Sequence, residues 1–219
     1  MYVVLLGPPG AGKGTQAAGV AADLGVVHLA SGDLFRQVRQ EDSALGREVR
    51  SYYDRGLLVP DELTIRLFLE RLGALDGARG AILDGFPRTL EQARALDRAL
   101  AARGKRVCAA VYLTAPIEVL VRRISGRLLC RAAGHTYHVE FTPPRVSGRC
   151  DQDGSELYQR PDDTPEVARQ RVEEYLAKTV PVVAHYREQG VLREVNADQP
   201  IERVRPDLAA AIRQSCREV

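Results

Sequence analysis

The chain has 219 residues and a net charge of +2, and 45% of its residues are hydrophobic. This length suits one domain with inserted subdomains, and the hydrophobic content is enough for a sizeable core. A near-neutral charge argues against a surface that coats nucleic acid, and no apolar run approaches the roughly 18–20 residues that cross a bilayer. We therefore expect neither a nucleic acid nor a membrane among its partners.

The cysteines and the first residues indicate in which cellular compartment the protein is expected. Four cysteines are too few and too scattered for a secreted disulfide scaffold. The chain enters a predicted strand at once, without the basic and apolar regions of a leader peptide. We expect a cytoplasmic protein in which Cys108 is a small buried hydrophobe within a strand and Cys216 is a residue of the tail.

Buried strands and amphipathic helices alternate along most of the chain. Apolar runs predict five strands, at residues 2–6, 26–29, 81–83, 107–113 and 191–195. Helical patterns predict helices at residues 15–24, 61–75, 90–103, 116–124, 165–186 and 200–214. Asp61 is expected to cap its helix, and Pro116 and Pro165 suit the first turn of theirs. The alternation predicts an α/β fold of three layers (αβα), with a five-stranded parallel sheet between helices.

Two segments break this alternation. Residues 31–59 are polar, charged and predicted to be helical without a strand. Residues 126–163 are rich in Gly, Pro, Arg and turn formers, with β-like pieces such as 135–141. Long insertions in a compact domain are usually lids or binding loops. We therefore divide the chain into insertions at 30–59 and 126–163 and a core formed by residues 1–29, 60–125 and 164–219.

The segment from Gly7 to Thr15 follows the first predicted strand directly and reads GPPGAGKGT. Glycines let the backbone N–H groups approach phosphate oxygens, and the N-terminus of the next helix favours the same anion. Lys13 adds a mobile charge, and Thr15 adds a hydroxyl near the place of a phosphate-bound Mg²⁺, although Gly14 separates the two. The segment predicts a P-loop, and an ordinary Gly/Pro turn is the alternative.

Acidic and basic side chains follow at the other strand ends and around the insertions. Asp84 ends a predicted strand, where it would hold Mg²⁺ through water or else only cap a turn. Six arginines flank the insertions and strand ends: Arg36, Arg88, Arg123, Arg127, Arg160 and Arg171. Phosphoryl transfer needs charge stabilisation and exclusion of water, which mobile flaps carrying arginine supply. A solvated surface is the alternative for any single arginine.

Seven separate motifs, spread over nearly the whole chain, resemble those of the adenylate kinase family. They are GPPGAGKGTQA at 7–17, SGDLFR at 31–36, GLLVPDEL at 56–63, LDGFPRTLEQA at 83–93, GRLLC at 126–130, TYHVEFTPP at 136–144 and LYQRPDDTPEVARQR at 157–171. The insertion at 126–163 resembles the long lid of bacterial members. The resemblance implies a monomer that transfers the γ-phosphoryl group of ATP reversibly to AMP, with Mg²⁺, giving two ADP for adenine nucleotide homeostasis.

The resemblance also implies roles for individual residues. The ATP contacts would be Gly10, Ala11, Gly12, Lys13, Gly14, Thr15, Arg127, Thr136, Tyr137 and Gln199. The AMP contacts, in the helical NMP-binding insertion and beside it, would be Ser31, Arg36, Leu57, Leu58, Val59, Gly85, Phe86, Pro87, Arg88, Gln92, Arg160 and Arg171. The catalytic cations would be Lys13, Arg88, Arg123, Arg160 and Arg171.

Four aspartates also match the family's pattern. Asp33 and Asp84 would orient Mg²⁺ through water, and Asp162 and Asp163 would anchor the closed lid. Ser31 stands where the family usually carries Thr, so the hydroxyl is kept.

The small β-rich lid departs from the family's metal-binding pattern. Many long-lid relatives hold a structural zinc with two CxxC pairs, whereas this chain offers Cys130, Cys150 and Asp153, and Ala133 stands in the fourth position. We favour a metal-free lid. The alternatives are zinc on these three ligands, completed by His135 or water, and a Cys130–Cys150 disulfide. His138 is expected to pack within the lid.

Three other functions stay open at this stage. The acceptor could be UMP or CMP, although Ser31, Leu58, Val59 and Gln92 together favour adenine. A nucleotide-dependent switch or ATPase would use the P-loop but leaves the arginines and the DGFPR motif unexplained. A zinc-ribbon lid that binds nucleic acid is disfavoured by Ala133 and the near-neutral charge.

Overall fold

A computed structural model describes residues 1–53, 59–75 and 78–217. The strands are β1 (Tyr2–Leu6), β2 (Val27–Ala30), β3 (Ala81–Asp84), β4 (Val107–Thr114), β5 (Arg127–Cys130), β6 (Thr136–His138), β7 (Leu157–Tyr158) and β8 (Leu192–Asn196). The helices are α1 (Lys13–Leu24), α2 (Ser31–Gln40), α3 (Ala44–Tyr53), α4 (Asp61–Gly73), α5 (Leu90–Ala101), α6 (Ile117–Ser125), α7 (Pro165–Glu188) and α8 (Ile201–Arg217). Among the described helices, none combines the length and apolar character that a membrane crossing requires.

Five strands form one parallel sheet in the order β2-β3-β1-β4-β8. The predicted parallel sheet is therefore confirmed, with each strand within one residue of its expected position. Leu5 of β1 pairs with Asp84 of β3, and Asp84 also pairs with Ala30 of β2. Since ligands of parallel α/β sheets bind beyond the carboxyl ends of the strands, this register brings the P-loop and Asp84 to one edge.

The two faces of the sheet belong to two separate core clusters, and α7 contributes residues to both. Val3 and Leu5 belong to a core cluster with residues of α1, α6 and α8, whereas Val4 and Leu6 belong to a cluster with residues of α2, α4 and α5. All four side chains are at most 2% exposed. Successive residues of a strand point to opposite faces, so one short apolar strand supplies both cores of the three-layer fold.

The two insertions have different architectures. Helices α2 and α3 lie in the first one, whose polar sequence predicted helix without a strand, and they contact each other. In the second one, β5 pairs antiparallel with β6 and β7 and forms a separate three-stranded sheet. Cys130, Tyr137, Cys150 and Leu157 form the small core of this lid. His138 is buried there, 7% exposed, and accepts backbone hydrogen bonds through Nδ1.

Two of the three expected helix starts differ from the sequence prediction. Pro165 begins α7 as expected, but Pro116 precedes α6 as its N-cap residue. Asp61 is the first residue of α4 rather than its cap, because Pro60 takes the N-cap position. The Asp61 carboxylate bonds to side chains at the start of α5 instead.

Cys108 is buried within β4 as expected, but the expectation that Cys216 is a residue of the tail was wrong, because Cys216 lies in α8 and forms a disulfide with Cys108. Helix α8 packs against β4 and β8, which brings the two Cα atoms to 4.8 Å across a sequence separation of 108. That Cα distance lies within the normal range for a disulfide. Cys130 and Cys150 are free thiols, so the alternative of a disulfide between them is also contradicted.

Candidate active site

The segment between β1 and α1 forms a backbone cradle. Gly10 and Gly12 both have φ of 83°, a left-handed conformation that favours glycine. A Cβ at Gly10 would also lie 2.6 Å from the carbonyl oxygen of Leu120, so α6 leaves no room for a side chain there. Helix α1 then begins at Lys13, and its unpaired N–H groups lie at the end of this turn. The cradle can therefore accept an anion through its backbone.

The Lys13 side chain folds back over the P-loop. Its Nζ donates to the carbonyl oxygens of Gly7, at 2.5 Å, and Pro8, at 3.1 Å. It also lies 5.6 Å from the centroid of the Tyr175 ring. Burial lowers the pKa of Lys13 to about 8, with Asp84 opposing this shift and Arg88 adding to it. The ammonium is thus held in a poorly solvated place where a phosphate would stabilise its charge.

Asp84 lies beside the P-loop at the end of β3. Its side chain is largely buried, and its Oδ2 would be 3.7 Å from a Cβ built on Gly14. The Nε2 atom of His28 lies 3.5 Å from the same Oδ2. A carboxylate at this place fits the outer coordination of a Mg²⁺ ion carried by a phosphate.

A group of hydrogen-bonded side chains lies beside the P-loop, at the carboxyl ends of β2 and β3. Arg88 donates from Nη2 to the Ser31 hydroxyl at 3.0 Å and from Nε to the Gly85 carbonyl at 2.7 Å. Its backbone N–H donates to the Oε1 of Gln92 at 2.8 Å. Ser31 and Gln92 are both buried, whereas Arg88 is exposed. This group therefore combines a guanidinium, a hydroxyl and an oriented amide.

The first insertion adds a third set of expected contacts. Arg36 forms an ion pair with Asp33 one turn earlier on α2, and both side chains are largely exposed. Val59 is half-buried and packs against the core. Leu57 and Leu58 lie outside the described residues.

Carboxylates hold two of the expected arginines at the foot of the lid. Arg127 donates to both oxygens of Asp163, from Nε at 3.0 Å and from Nη2 at 2.6 Å. Arg171 donates to Asp162 at 2.9 Å and to Asp163 at 3.2 Å. Asp163 is only 1% exposed, and two guanidinium groups neutralise the charge of this buried carboxylate. Asp162 and Asp163, which we expected to anchor the closed lid, are therefore bound to two arginines that we expected to contact nucleotides.

The other lid-side residues are spread around these pairs. Arg123 donates to the Ala197 carbonyl at 2.9 Å, and burial lowers its pKa. Arg160 lines a cleft of about 660 Å³ at the junction of lid and core, together with Ser125, Gln159, Pro161, Asp163, Thr164 and Pro165. Gln199 donates to Asp207 and to the Asn196 carbonyl beyond β8.

Tyr137 is placed differently from its neighbour Thr136. The Tyr137 ring belongs to the lid core, and its hydroxyl accepts from the N–H of Asp151 at 2.8 Å. Thr136 is exposed. Any ATP contact from Tyr137 would therefore involve its backbone rather than its hydroxyl.

Four candidate metal ligands converge in the lid. One ligand atom each from Cys130, His135, Cys150 and Asp153 lies within 4.8 Å of the others. The Sγ of Cys130 is 3.1 Å from the Oδ2 of Asp153, and the Nδ1 of His135 is 3.3 Å from the Sγ of Cys150. Burial opposes ionisation of Cys130, but hydrogen bonds from Ser155 and backbone amides lower the pKa of its thiol to about 7. A thiolate is the form that binds metal.

The roles of two residues near the site were not predicted from the sequence. Tyr175 of α7 accepts a hydrogen bond from the Gly7 N–H at 2.6 Å and lies under Lys13. The Asp61 carboxylate accepts hydrogen bonds from the Thr89 hydroxyl and the Gln92 amide and holds both side chains in place. The spacing of Tyr175, four residues after Arg171, is a signal that could have found it, because such residues share one face of a helix.

The P-loop with Lys13 and the Arg88 side chain lie at the carboxyl edge of one parallel α/β sheet, and this is the fold and arrangement of a nucleoside monophosphate kinase. Comparison with known sequences agrees. The adenylate kinase family model matches residues 5–191. An adenylate kinase of Symbiobacterium thermophilum is 46% identical over 215 residues, covering 98% of this chain and all of the relative. One of Bacillus subtilis is 46% identical over 208 residues, covering 95% and 96%. The chain belongs to the adenylate kinase family.

Proposed function

We propose that this chain transfers the γ-phosphoryl group of ATP to AMP, forming two molecules of ADP, with Mg²⁺ bound to ATP. The observation that carries the proposal is the adjacency of the two anion sites. Lys13 lies over the P-loop, Asp84 at the end of β3 pairs with Leu5 just before that loop, and Arg88 donates to the carbonyl of Gly85, the residue after Asp84. A polyphosphate on the P-loop would therefore end where a second phosphate meets Arg88.

On the ATP side, the backbone from Gly10 to Thr15 would cradle the phosphates, and Lys13 would leave its carbonyl partners to bind them. Asp84, with Asp33 from α2, would orient the waters of Mg²⁺. The ion would supply positive charge that offsets the negative charge of the phosphates. Arg127, Thr136 and the region of Gln199 would cover the nucleotide.

On the AMP side, Arg88 would leave Ser31 to bind the acceptor phosphate. Ser31, Val59 and the Gln92 amide would contact the base, and Leu57, Leu58, Gly85, Phe86 and Pro87 would complete the pocket. Arg36, Arg160 and Arg171 would hold the phosphate. The acceptor is itself a phosphate oxygen, so no side-chain nucleophile is needed.

The chemistry requires the arginine–carboxylate pairs to rearrange. Arg127 and Arg171 would exchange Asp162 and Asp163 for nucleotide phosphates when the flaps close, and Arg123 would clamp the transferred group. We propose that residues 30–59 and 126–163 are these flaps and that their closure excludes water, which suppresses ATP hydrolysis. We further propose that the protein acts as a monomer in the cytoplasm.

Replacement of Arg88 tests the proposed function. We expect Arg88→Ala to lower AMP-dependent turnover by roughly 100-fold or more while ATP affinity stays nearly unchanged, since Arg88 stabilises charge on the acceptor side. Arg94→Ala, which removes an exposed arginine of the same α5 region, is the matched control. Near-normal turnover by Arg88→Ala would contradict the assignment. So would failure of the purified chain to bind two adenosines joined through five phosphates.

The acceptor specificity needs its own assay. A coupled assay with AMP, GMP, CMP and UMP would show AMP as the preferred acceptor. If the chain preferred UMP or CMP, the proposed phosphotransferase activity would stand, but the proposed acceptor would be wrong.

We also propose that the lid holds one structural zinc ion, which revises our sequence-based preference for a metal-free lid. Tetrahedral zinc with sulfur and nitrogen ligands separates neighbouring ligand atoms by roughly 3.3–3.8 Å. The contacts from Cys130 to Asp153 and from His135 to Cys150, at 3.1 and 3.3 Å, are close to that range. Two thiols, an imidazole and a carboxylate are a suitable donor set, with His135 supplying the ligand that Ala133 cannot. The zinc would join the two lid loops and supply no chemistry to the reaction.

A further inference from the structure

Asp61 connects the start of α4 to the start of α5 through two strong hydrogen bonds. Its Oδ1 accepts from the Nε2 of Gln92 at 2.7 Å, and its Oδ2 accepts from the Thr89 hydroxyl at 2.6 Å. Thr89 in turn caps α5 by accepting from the backbone N–H of Gln92. Both carboxylate oxygens are thus used by residues that surround the proposed acceptor pocket.

These contacts fix the orientation of the Gln92 amide. A carboxylate only accepts hydrogen bonds, so it selects the NH₂ end of the amide. On the other side, the backbone N–H of Arg88 only donates, so it selects Oε1, at 2.8 Å. In a flipped amide, Oε1 would face the Asp61 carboxylate, and the NH₂ group would face the Arg88 N–H. Since Gln92 is 4% exposed, water has little access to relieve that mismatch.

The oriented amide keeps one hydrogen on Nε2 and one lone pair on Oε1. Adenine presents an acceptor at ring position 1 and an amino donor at position 6, and it can pair with such an amide. Hypoxanthine and guanine present the reverse pattern, a donor at position 1 and an acceptor at position 6. In the same pose they could pair only with a flipped amide.

We propose that Asp61 is a positioning residue that makes the acceptor site selective for adenine over 6-oxopurines by locking the Gln92 amide. This inference rests on the proposed function, because it takes Gln92 to contact the acceptor base. In this proposal Asp61 acts on the acceptor base through Gln92, to which it is hydrogen-bonded, and not by direct contact. The lock also lies at the junction of the first insertion with the core, since α4 begins at Asp61.

The test compares AMP with IMP, whose hypoxanthine has the size of adenine but the reversed hydrogen-bond pattern. In Asp61→Asn, the nearly isosteric amide can offer either an oxygen or an NH₂ group to Gln92. We expect the ratio of kcat/KM for AMP to that for IMP to fall about tenfold, mainly through a higher KM for AMP. The Arg88 N–H still favours one orientation, so the loss of selectivity is expected to be partial. Asp61→Ala should lower the ratio in the same direction.

Glu62→Gln is the matched control. Glu62 is exposed and lies in the same first turn of α4, so this change removes a similar helix-end charge away from Gln92. We expect the AMP/IMP ratio to stay at its wild-type value. Loss of stability alone would lower the active fraction for both acceptors equally and leave the ratio unchanged.

The outcomes separate the two proposals. A wild-type chain that phosphorylates no AMP would overturn the proposed function. A wild-type chain that does so, with an unchanged AMP/IMP ratio in Asp61→Asn, would overturn only the role of Asp61. If both Asp61 variants fail to fold, nuclear magnetic resonance of the unmodified chain still decides: we expect the Gln92 side-chain NH₂ to be protected from exchange, and rapid exchange would contradict the lock.

Discussion

The phenolic oxygen of Tyr175 lies 2.6 Å from the backbone nitrogen of Gly7, so a residue near the middle of α7 holds the first residue of the P-loop. Burial raises the pKa of this phenol to about 12, so it stays neutral and can accept the N–H. The same ring lies beneath the Lys13 ammonium. Tyr175 therefore contacts both the backbone and the side-chain cation that we expect to bind ATP phosphates.

Replacing Tyr175 with Phe should weaken ATP binding selectively. The ring would remain under Lys13, but the Gly7 N–H would lose its partner, and a buried unpaired donor costs about 1–3 kcal/mol. We expect the KM for ATP to rise several-fold and the KM for AMP to change little, as measured by steady-state kinetics with each substrate varied in turn.

Tyr186→Phe is the control for this prediction. Tyr186 lies on the same helix and is buried, and within the described part of the chain its hydroxyl has no hydrogen-bond partner. Its removal should leave both KM values unchanged. Equal increases of the two KM values in Tyr175→Phe would instead indicate a general loss of packing.

Binding of ATP should be accompanied by proton uptake near pH 8. The pKa of Lys13 is about 8 in the free chain, so about half of the molecules carry an uncharged amine there. Bound phosphates favour the ammonium and raise this pKa, so about half a proton is taken up. Calorimetric titrations in two buffers of different ionisation enthalpy would measure the uptake.

The controls for Lys13 are two other substitutions. Lys13→Arg should abolish the uptake, because a guanidinium stays charged at this pH. Lys105→Ala removes an exposed lysine and should preserve it. Uptake that persists in Lys13→Arg would assign the proton to another group.

The pKa of Lys13 also sets a dependence of stability on pH. Its folded value lies below the usual 10.5, so the folded chain binds fewer protons than the unfolded chain between about pH 8 and 10.5. The Lys13 contribution to the free energy of unfolding therefore rises with pH through that window. Denaturant titrations of the nucleotide-free chain should show a smaller rise in Lys13→Met.

The disulfide between Cys108 and Cys216 should contribute to stability under oxidising conditions. It closes a loop with a sequence separation of 108, and constraint of the unfolded chain by such a loop stabilises a protein by about 2–4 kcal/mol. We expect Cys216→Ser to lower the free energy of unfolding without reductant and to match the wild type in dithiothreitol.

Thiol titration of the unreduced, denatured chain should find two free thiols, Cys130 and Cys150. A count of four would contradict the disulfide.

Local patterns predicted the parallel sheet and the P-loop because each depends on a short, contiguous segment: an apolar strand, glycines and a helix start. Contacts between elements that are far apart in the sequence could not be predicted from such segments. Cys216 meets Cys108 because α8 packs on β4, and the Asp61 carboxylate binds Thr89 and Gln92 because the start of α5 lies beside the start of α4. Pattern alone gives no packing geometry, so partners across helices had to come from the structure.

The lid should contain one zinc ion per chain when the protein is purified without added metal. Four ligand atoms already lie within 4.8 Å, so little rearrangement would be needed to bind it. We expect elemental analysis to find about one zinc per chain in the wild type and much less in Cys150→Ser and His135→Ala. A strong chelator should lower the unfolding temperature of the wild type, because bound metal stabilises only the folded lid.

Asp151→Asn provides the matched control for the lid, since Asp151 lies next to Cys150 but outside the four-residue group. It is exposed and accepts a hydrogen bond from the Arg145 N–H, which an asparagine oxygen can also accept. This variant should keep its zinc. Wild-type protein without zinc, and with no response to chelator, would instead support a lid held by the hydrogen bonds between Cys130 and Ser155 and between Cys150 and Tyr137. Loss of zinc from Cys150→Ser but not from His135→Ala would assign the fourth ligand to water.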